Sequence, residues 1–526
     1  MPILPGVNAP SSPASPRWPA ERLAPALLAL LAFALHAACW GRYGIFRDEL
    51  YFLSCGRRLA AGYVDQPAGI AVVARIAGAL FGTWVPGLRL PAWLAAAAAV
   101  WLCGRLAARL GGGGLGAAIA AGAALTAPVL LALGHLLTMN VFEQLLLLAL
   151  ATLLVRLAQG EDERLWVAAG GVAGLAVLFK YTAAVLALAL LAGLVATPAR
   201  RAFRSRWVLA GAATGLLVVL PNFAWQAAHG FPFLEIVRSA VGYKNTPFTL
   251  GGFSKELLLD ANPLLAPLWL GGLAWLLAAP AARPFRFLGL GAALTLAALI
   301  AGHGKSYYFA GTLPLLFAAG GAALGRLLGG QPASGPGRVL RVALPALLLL
   351  VALVPAPLAL PLLSVETFVR YQAALGQKPR AFERMRYGRL PQLYADQHGW
   401  RELAEGVAIV AATLRPEEKP RAVVFGHNYG EAAAVDVYGP ELGLPPAISG
   451  HNSFWLWGVP PGRGDPAIVI SDEREDCGHA FREAIPARRL PSSPWVMPYE
   501  DARWIWICRE ATRPLAEAWP RLRHFE

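Results

Sequence analysis

The sequence predicts a mainly α, polytopic membrane helical bundle of about eleven spans, followed by a small α/β domain. Three observations carry that expectation. Of the 526 residues, 56% are hydrophobic and only 15% charged, with a mean hydropathy of +0.50, so most apolar surface must face something other than water. Apolar runs of spanning length recur between polar breaks from residue 23 to residue 363. Beyond 363 those runs stop, and charged residues alternate with short helical and strand-like segments.

Residues 1–22 are rich in Pro and Ser and read as a disordered cytoplasmic N-terminus. They lack the pattern of a removed signal peptide, and the run from Leu23 to Trp40 reads as a retained signal anchor. With it, spans are expected near 23–41, 90–110, 115–134, 141–158, 165–179, 182–197, 207–227, 262–280, 286–302, 309–328 and 341–363. The pair 165–179 and 182–197 is short and broken at Lys180-Tyr181; one long tilted helix is the alternative and would change the parity. Between the first two spans, DELYFLSCGRRLAAG and IAVVARIAGALFG read as helices lying in the membrane interface. The loop 228–261 has the same mixed character.

The net charge of +14 does not point to nucleic acid, because the basic residues sit at the ends of apolar runs. Arg105 and Arg109, Arg156 and Arg164, Arg200 to Arg206, Arg283 and Arg286, and Arg326, Arg338 and Arg341 mark alternate breaks. Placing these ends in the cytoplasm obeys the positive-inside rule and puts everything after 363 outside. Lys180, Lys244, Lys255 and Lys305 then fall at the outer face, together with Asp48, Glu49, Asp65, Glu143, Glu235, Glu256 and Asp260.

In the region 364–526, helix (Gly399 to Leu414), strand (Arg421 to Phe425), helix (Gly430 to Tyr438) and strands (Pro446 to Ser449, Ala467 to Ile470) alternate as in an α/β domain. Cys477 and Cys508 form the one candidate disulfide pair; an inert buried strand residue is the other reading of Cys508. No Walker A, GxGxxG, HExxH or CxxC pattern stands in a supporting context, and no cofactor or metal is expected.

Four constellations could carry chemistry. Arg47-Asp48-Glu49 with Tyr51, then Asp65-Gln66, place carboxylates just outside a span, where charge is costly near lipid. Asp48 can serve as a general base toward an acceptor hydroxyl, or the acidic pair can simply favour a helix N-terminus. His135, Thr138, Asn140, Glu143 and Gln144 fit a capping box, or bring Glu143 to the same outer cavity. His303-Gly304-Lys305-Ser306-Tyr307-Tyr308 suits a phosphate, as does Lys180-Tyr181; membrane anchoring by Lys and Tyr is the alternative. Finally, His427 to Glu431 and the aromatic run Phe454 to Trp457 could stack on sugar rings, or pack the domain onto the membrane part.

The segments FRDELYFLSCGRRLAAGYVDQPAG, TMNVFEQ, GLAVLFKYTA and GKSYYFAGTLP together resemble glycosyltransferase family 39, and the resemblance covers nearly the whole chain after residue 22. That family holds the protein O-mannosyltransferases and, more distantly, the aminoarabinose transferase that modifies lipid A. GHNYGEAAAVDVYGPELGLPPAISGHNSFWLWG looks like the extension of a bacterial branch. The resemblance implies a GT-C fold, residues 23–363 forming the transferase domain in the cell inner (plasma) membrane, and inverting transfer of a sugar from a polyprenyl monophosphate to an extracytoplasmic lipid, glycan or protein. Asp48 and Glu49 stand where the family keeps its catalytic acidic pair. Glu143 falls where relatives carry a second acidic residue, more often Asp; Lys305 and Tyr307 match the donor-phosphate contacts best. A transporter or flippase for a lipid-linked sugar is the rival, and would predict inverted repeats with broken helices.

Overall fold

The computed structural model describes residues 20–329, 336–351, 353–380, 383–473, 477 and 480–526. The expected disordered segment, apart from its last few residues, and the Arg338 side chain lie outside the described parts. In chain order the membrane part comprises α1 (Ala20–Ala38), α2 (Arg47–Arg57), α3 (Gly69–Phe81), α4 (Val85–Ala107), α5 (Gly113–Thr126), α6 (Pro128–His135), α7 (Met139–Ala158), α8 (Leu165–Phe179) and α9 (Ala183–Val195). It continues with α10 (Trp207–Ala228), α11 (Pro232–Ser239), α12 (Leu250–Asp260), α13 (Ala266–Ala278), α14 (Arg286–Ala301), α15 (Leu313–Gly329) and α16 (Pro336–Val351).

Each of the eleven expected spans contains helix, but many helices are shorter than the apolar runs that announced them, the last reaching only Val351 before α17 (Ala356–Ala359). Among the described residues, five stretches are long and apolar enough to cross a membrane by themselves, or up to seven if two bent pairs count as spans. The difference has local causes. Val85–Thr126 is not one helix: Gly111 at φ +95° and Gly113 at φ +61° reverse the chain, and α5 packs back against α4. Pro128 and the extended Ala127 then separate α5 from α6.

Helix direction follows from what the ends touch. At one face Arg105 donates to the Glu21 carbonyl (3.2 Å), Arg109 pairs with Glu161, and Arg326 donates to the Leu110 carbonyl (2.9 Å). At the opposite face Lys180 meets Asn140 and lies over the Tyr308 ring (4.4 Å), while Gln226 donates to the Tyr63 carbonyl (3.0 Å). The long-helix alternative for 165–197 is excluded, because the Trp166 indole donates to the Ala202 carbonyl (3.1 Å), returning the chain to the start of α8. The arginine-rich ends thus share one face and the acidic and lysine-bearing loops the other.

After α17 (Ala356–Ala359), α18 (Val365–Ala374) and α19 (Gln392–Ala395) come α20 (Trp400–Ala412), β1 (Val423–Gly426), α21 (Tyr429–Leu442), β2 (Ala447–Ile448), α22 (Ser453–Trp457) and β3 (Ala467–Ser471). β4 (Phe481–Arg489), which the sequence pattern did not show, and β5 (Trp504–Ala511), which holds Cys508 in a strand as one reading of the sequence had it, extend the sheet to the order β2-β1-β3-β5-β4. β4 is an edge strand interrupted at Pro486, with charged residues on its exposed side, so its apolar alternation is weak. Cys477 and Cys508 are joined by a disulfide, Cα atoms 5.8 Å apart.

The two parts share a core. Leu50, Leu53 and Ile70 of α2 and α3 pack in one buried cluster with Leu403, Val407, Ala433 and Val437 of α20 and α21. This revises the expected placement of α2 in the lipid interface: from Glu49 to Gly56 it is wholly buried, covered by the C-terminal domain. α3 does present Val72, Ile76 and Leu80 outward in one stripe, as an interfacial helix should.

Candidate active site

The loop entering α2 and the N-terminus of α21 meet at a cavity of about 580 Å³ on the lysine-bearing face. It is lined by the acids Asp48, Asp65, Asp260 and Glu383, by Lys244, Lys305, Lys378 and Arg380, and by apolar Pro128, Val129, Leu133 and Leu136. Tyr307, Tyr308 and Asn140 also line it.

The adjacent carboxylates Asp48 and Glu49 have opposite environments. One helical step of about 100° turns their side chains apart. The Asp48 side chain is 36% exposed and lines the cavity, accepting a hydrogen bond from the Tyr429 hydroxyl at 2.8 Å. Glu49 is 0% exposed and bridges Arg89, itself 1% exposed, through two bonds of 2.8 Å. Its oxygens also accept from the backbone N–H groups of Phe46 and Leu137, both at 2.8 Å. Glu49 therefore holds the start of α2 against α4 and the α6–α7 junction, and has no access to the cavity. These four bonds give Glu49 a structural part at the start of α2.

The other candidate residues divide similarly. Arg47 lines the cavity with its stem and is fixed by the Tyr499 hydroxyl (2.6 Å) and Asp396 (3.4 Å). The Tyr51 hydroxyl donates to Asp65 at 2.9 Å and accepts from the Ser453 N–H at 3.2 Å. Burial pushes the Asp65 carboxyl up to about 6, opposed by the Tyr51 hydrogen bond. Gln66 is buried away from the cavity, beside Cys55. Glu143 and Lys180 form an ion pair at 3.8 Å beneath the cavity floor, with Thr182 donating to Glu143 and the Tyr307 and Tyr308 rings over the ammonium. Lys305 reaches the cavity, but Glu383 pairs with it at 3.0 Å. Lys244, which the sequence already places at the outer face, and Lys378, which it does not single out, line the cavity with no ion pair among the described residues. Of the aromatic run, Phe454 and Trp457 stack near Tyr51, and Arg58 covers Trp457 at 4.6 Å, so those two rings pack the domain onto α2.

Fold and site together define a multi-spanning membrane protein whose carboxylate-lined cavity is closed by its own C-terminal domain. A family model described as "Dolichyl-phosphate-mannose-protein mannosyltransferase" matches residues 65–225, in agreement with the resemblance read from the sequence motifs. The crystal structure of ArnT from Cupriavidus metallidurans in the apo state superposes with a TM-score of 0.55 at 16% identity, covering 91% of this chain and 97% of that one. The archaeal oligosaccharyltransferase AglB from Archaeoglobus fulgidus, solved with an inhibitory peptide and a dolichol-phosphate, gives a TM-score of 0.48 at 13% identity, covering 80% and 64%. No curated protein matches the sequence significantly. The fold is GT-C-like, as the sequence resemblance implies. The matched interval contains Asp65, Arg89, Asn140, Glu143 and Lys180, and begins after Asp48.

Proposed function

We propose that this chain is an inverting membrane glycosyltransferase that moves a sugar from a polyprenyl monophosphate to an acceptor hydroxyl on the outer side of the inner (plasma) membrane. The observation that carries the reading is Asp48, the one member of the acidic pair that reaches a cavity lined by both basic and apolar side chains. Asp48 takes the proton of the acceptor hydroxyl as its oxygen attacks the anomeric carbon. The bond from that carbon to the phosphate oxygen breaks, and polyprenyl phosphate leaves with the electron pair. Lys244 and Lys378 face the leaving phosphate, each ammonium serving as a point charge, with Lys305 and the Arg380 guanidinium, itself paired with Asp260 at 2.6 Å, beside them. The prenyl chain lies along the wall of Pro128, Val129 and Leu133. The family model and the GT-C-like fold support transfer; neither favours a transporter. The disulfide and the gathering of arginines at the opposite face support an extracytoplasmic C-terminal domain.

Membranes carrying the protein are to be incubated with a panel of radiolabelled polyprenyl-phosphate sugars. Asp48→Asn should lower turnover by about 10²–10⁴-fold at unchanged expression; near-normal turnover would remove Asp48 from the mechanism. Lys244→Gln should weaken donor use by roughly tenfold or more, a charge-assisted contact being worth about 1.5–3 kcal/mol. Lys305→Gln should cost less, because Glu383 already holds that ammonium. The reverse order would return the phosphate to Lys305.

A further inference from the structure

Asp48 starts in the first outer loop, but its closest partner comes from the other end of the chain. Tyr429, the first residue of α21, donates from its hydroxyl to Asp48 Oδ1 at 2.8 Å. Among the described residues no hydrogen bond reaches Oδ2. The tyrosine ring is clamped from three sides: Tyr51 at 5.0 Å, His451 at 5.0 Å and the Arg47 guanidinium at 5.1 Å.

Its backbone is equally fixed. Asn428 caps α21, its side-chain oxygen accepting from the N–H groups of Gly430 (2.8 Å) and Glu431 (3.1 Å). Glu431 returns a bond to the Asn428 N–H (3.3 Å) and is held by Arg503 (3.0 Å). Gly430 has no side chain because none fits: a Cβ there would lie 2.7 Å from Arg47 Cγ. Further along, Asp436 of α21 receives two bonds from Arg58, the residue just after α2, at 2.7 and 3.0 Å. The start of α21 is thus pressed onto the start of α2.

We propose that Tyr429 is a positioning residue of the transfer reaction, engaging Oδ1 so that Oδ2 meets the acceptor hydroxyl. The C-terminal domain is then part of the active site rather than an appended module. The proposal rests on Asp48 being the base. A free carboxylate rotates about its Cβ–Cγ bond and solvates both oxygens. A hydroxyl bond to one oxygen fixes the plane and presents the other, and proton transfer depends steeply on that geometry.

Tyr429→Phe keeps the ring and removes only the hydroxyl. With the radiolabelled polyprenyl-phosphate sugar that wild-type membranes use, kcat should fall about tenfold or more, while donor KM and the melting temperature of the purified protein stay at wild-type values. Wild-type kcat in Tyr429→Phe overturns the proposal. So does a loss of kcat accompanied by a lower melting temperature, because the tyrosine would then only dock the domain, or a change confined to donor KM, because it would then be a donor contact. If wild-type membranes use none of the sugars, the glycosyltransferase reading itself fails and this inference with it.

Discussion

Replacing Glu49 by Gln tests whether the second acid of the pair is chemical or structural. The amide is nearly isosteric, so only charge and hydrogen-bond polarity change. In the native site each Glu49 oxygen accepts two bonds: Oε1 from Arg89 Nε and the Leu137 N–H, Oε2 from Arg89 Nη2 and the Phe46 N–H, all at 2.8 Å. A glutamine keeps one accepting oxygen and turns an NH₂ group toward two donors. Arg89, 1% exposed, keeps one bond to that oxygen, the Gly44 carbonyl (2.8 Å) and weaker contacts to Gln397 and His135. Breaking a buried pair by neutralising one partner typically costs about 3–5 kcal/mol, mostly the uncompensated remaining charge. The assay is thermal unfolding of detergent-purified protein followed by tryptophan fluorescence, alongside Asp48→Asn. Glu49→Gln should melt well below wild type, and Asp48→Asn, at a half-exposed carboxylate, close to it. The double variant Glu49→Leu/Arg89→Met should be more stable than Glu49→Gln, since it buries no unpaired charge. A Glu49→Gln protein that melts like wild type yet loses turnover would refute the structural role and restore Glu49 to the reaction.

Three further outcomes follow from the geometry. Non-reducing peptide mass spectrometry should recover Cys477 linked to Cys508, and Cys508→Ser should lower stability by about 2–4 kcal/mol; two free thiols would oppose the bond. A reporter active only in the cytoplasm should be silent when fused at Glu526 and active when inserted near Gln159, on the arginine-rich face; activity at Glu526 would invert the orientation. Burial raises the Asp65 carboxyl from its ordinary 3.8 to about 6, so between these values the folded state binds the extra proton, and stability should fall as pH rises through that window. Asp65→Asn should flatten that slope without abolishing it, because burial also pushes Asp396 up to about 6; an unchanged slope would discount Asp65.

The helices of the membrane part were legible because lipid demands long apolar runs, and the breaks at Lys180-Tyr181 and His303 to Tyr308 mark real junctions. What the runs overstate is helix length. Positions such as Ala127 and Gly111 to Gly113 are apolar or neutral, so hydropathy passes over turns that backbone dihedrals make plain. In the C-terminal domain the buried strands β1 and β3 announce themselves as apolar runs, while β4, with Pro486 and one exposed face, does not.

At the site, residue type was readable and pairing was not. Asp48 and Glu49 are equivalent on the page, since both are acids at the edge of a span. What separates them is Arg89, forty residues further on, which ends the same loop and looks like one more flanking arginine. An arginine at the mouth of a span ordinarily reaches for water. Here the C-terminal domain covers that mouth, Gln397 approaches within 3.3 Å, and the guanidinium must find its acceptors inside the protein. Glu49 supplies them. Asp48, one residue earlier, is thereby left as the acid of the pair that faces the cavity. The same cover brings Tyr429 to Asp48 across 381 residues of chain, a separation at which sequence spacing carries no signal. The division of labour in the acidic pair therefore depends on the C-terminal domain. If that domain were displaced, water would reach Arg89, the demand on Glu49 would ease, and Asp48 would lose the contact that orients it. If Asp48 is the base, as proposed, rigid docking of α21 on α2 is a condition for it to work.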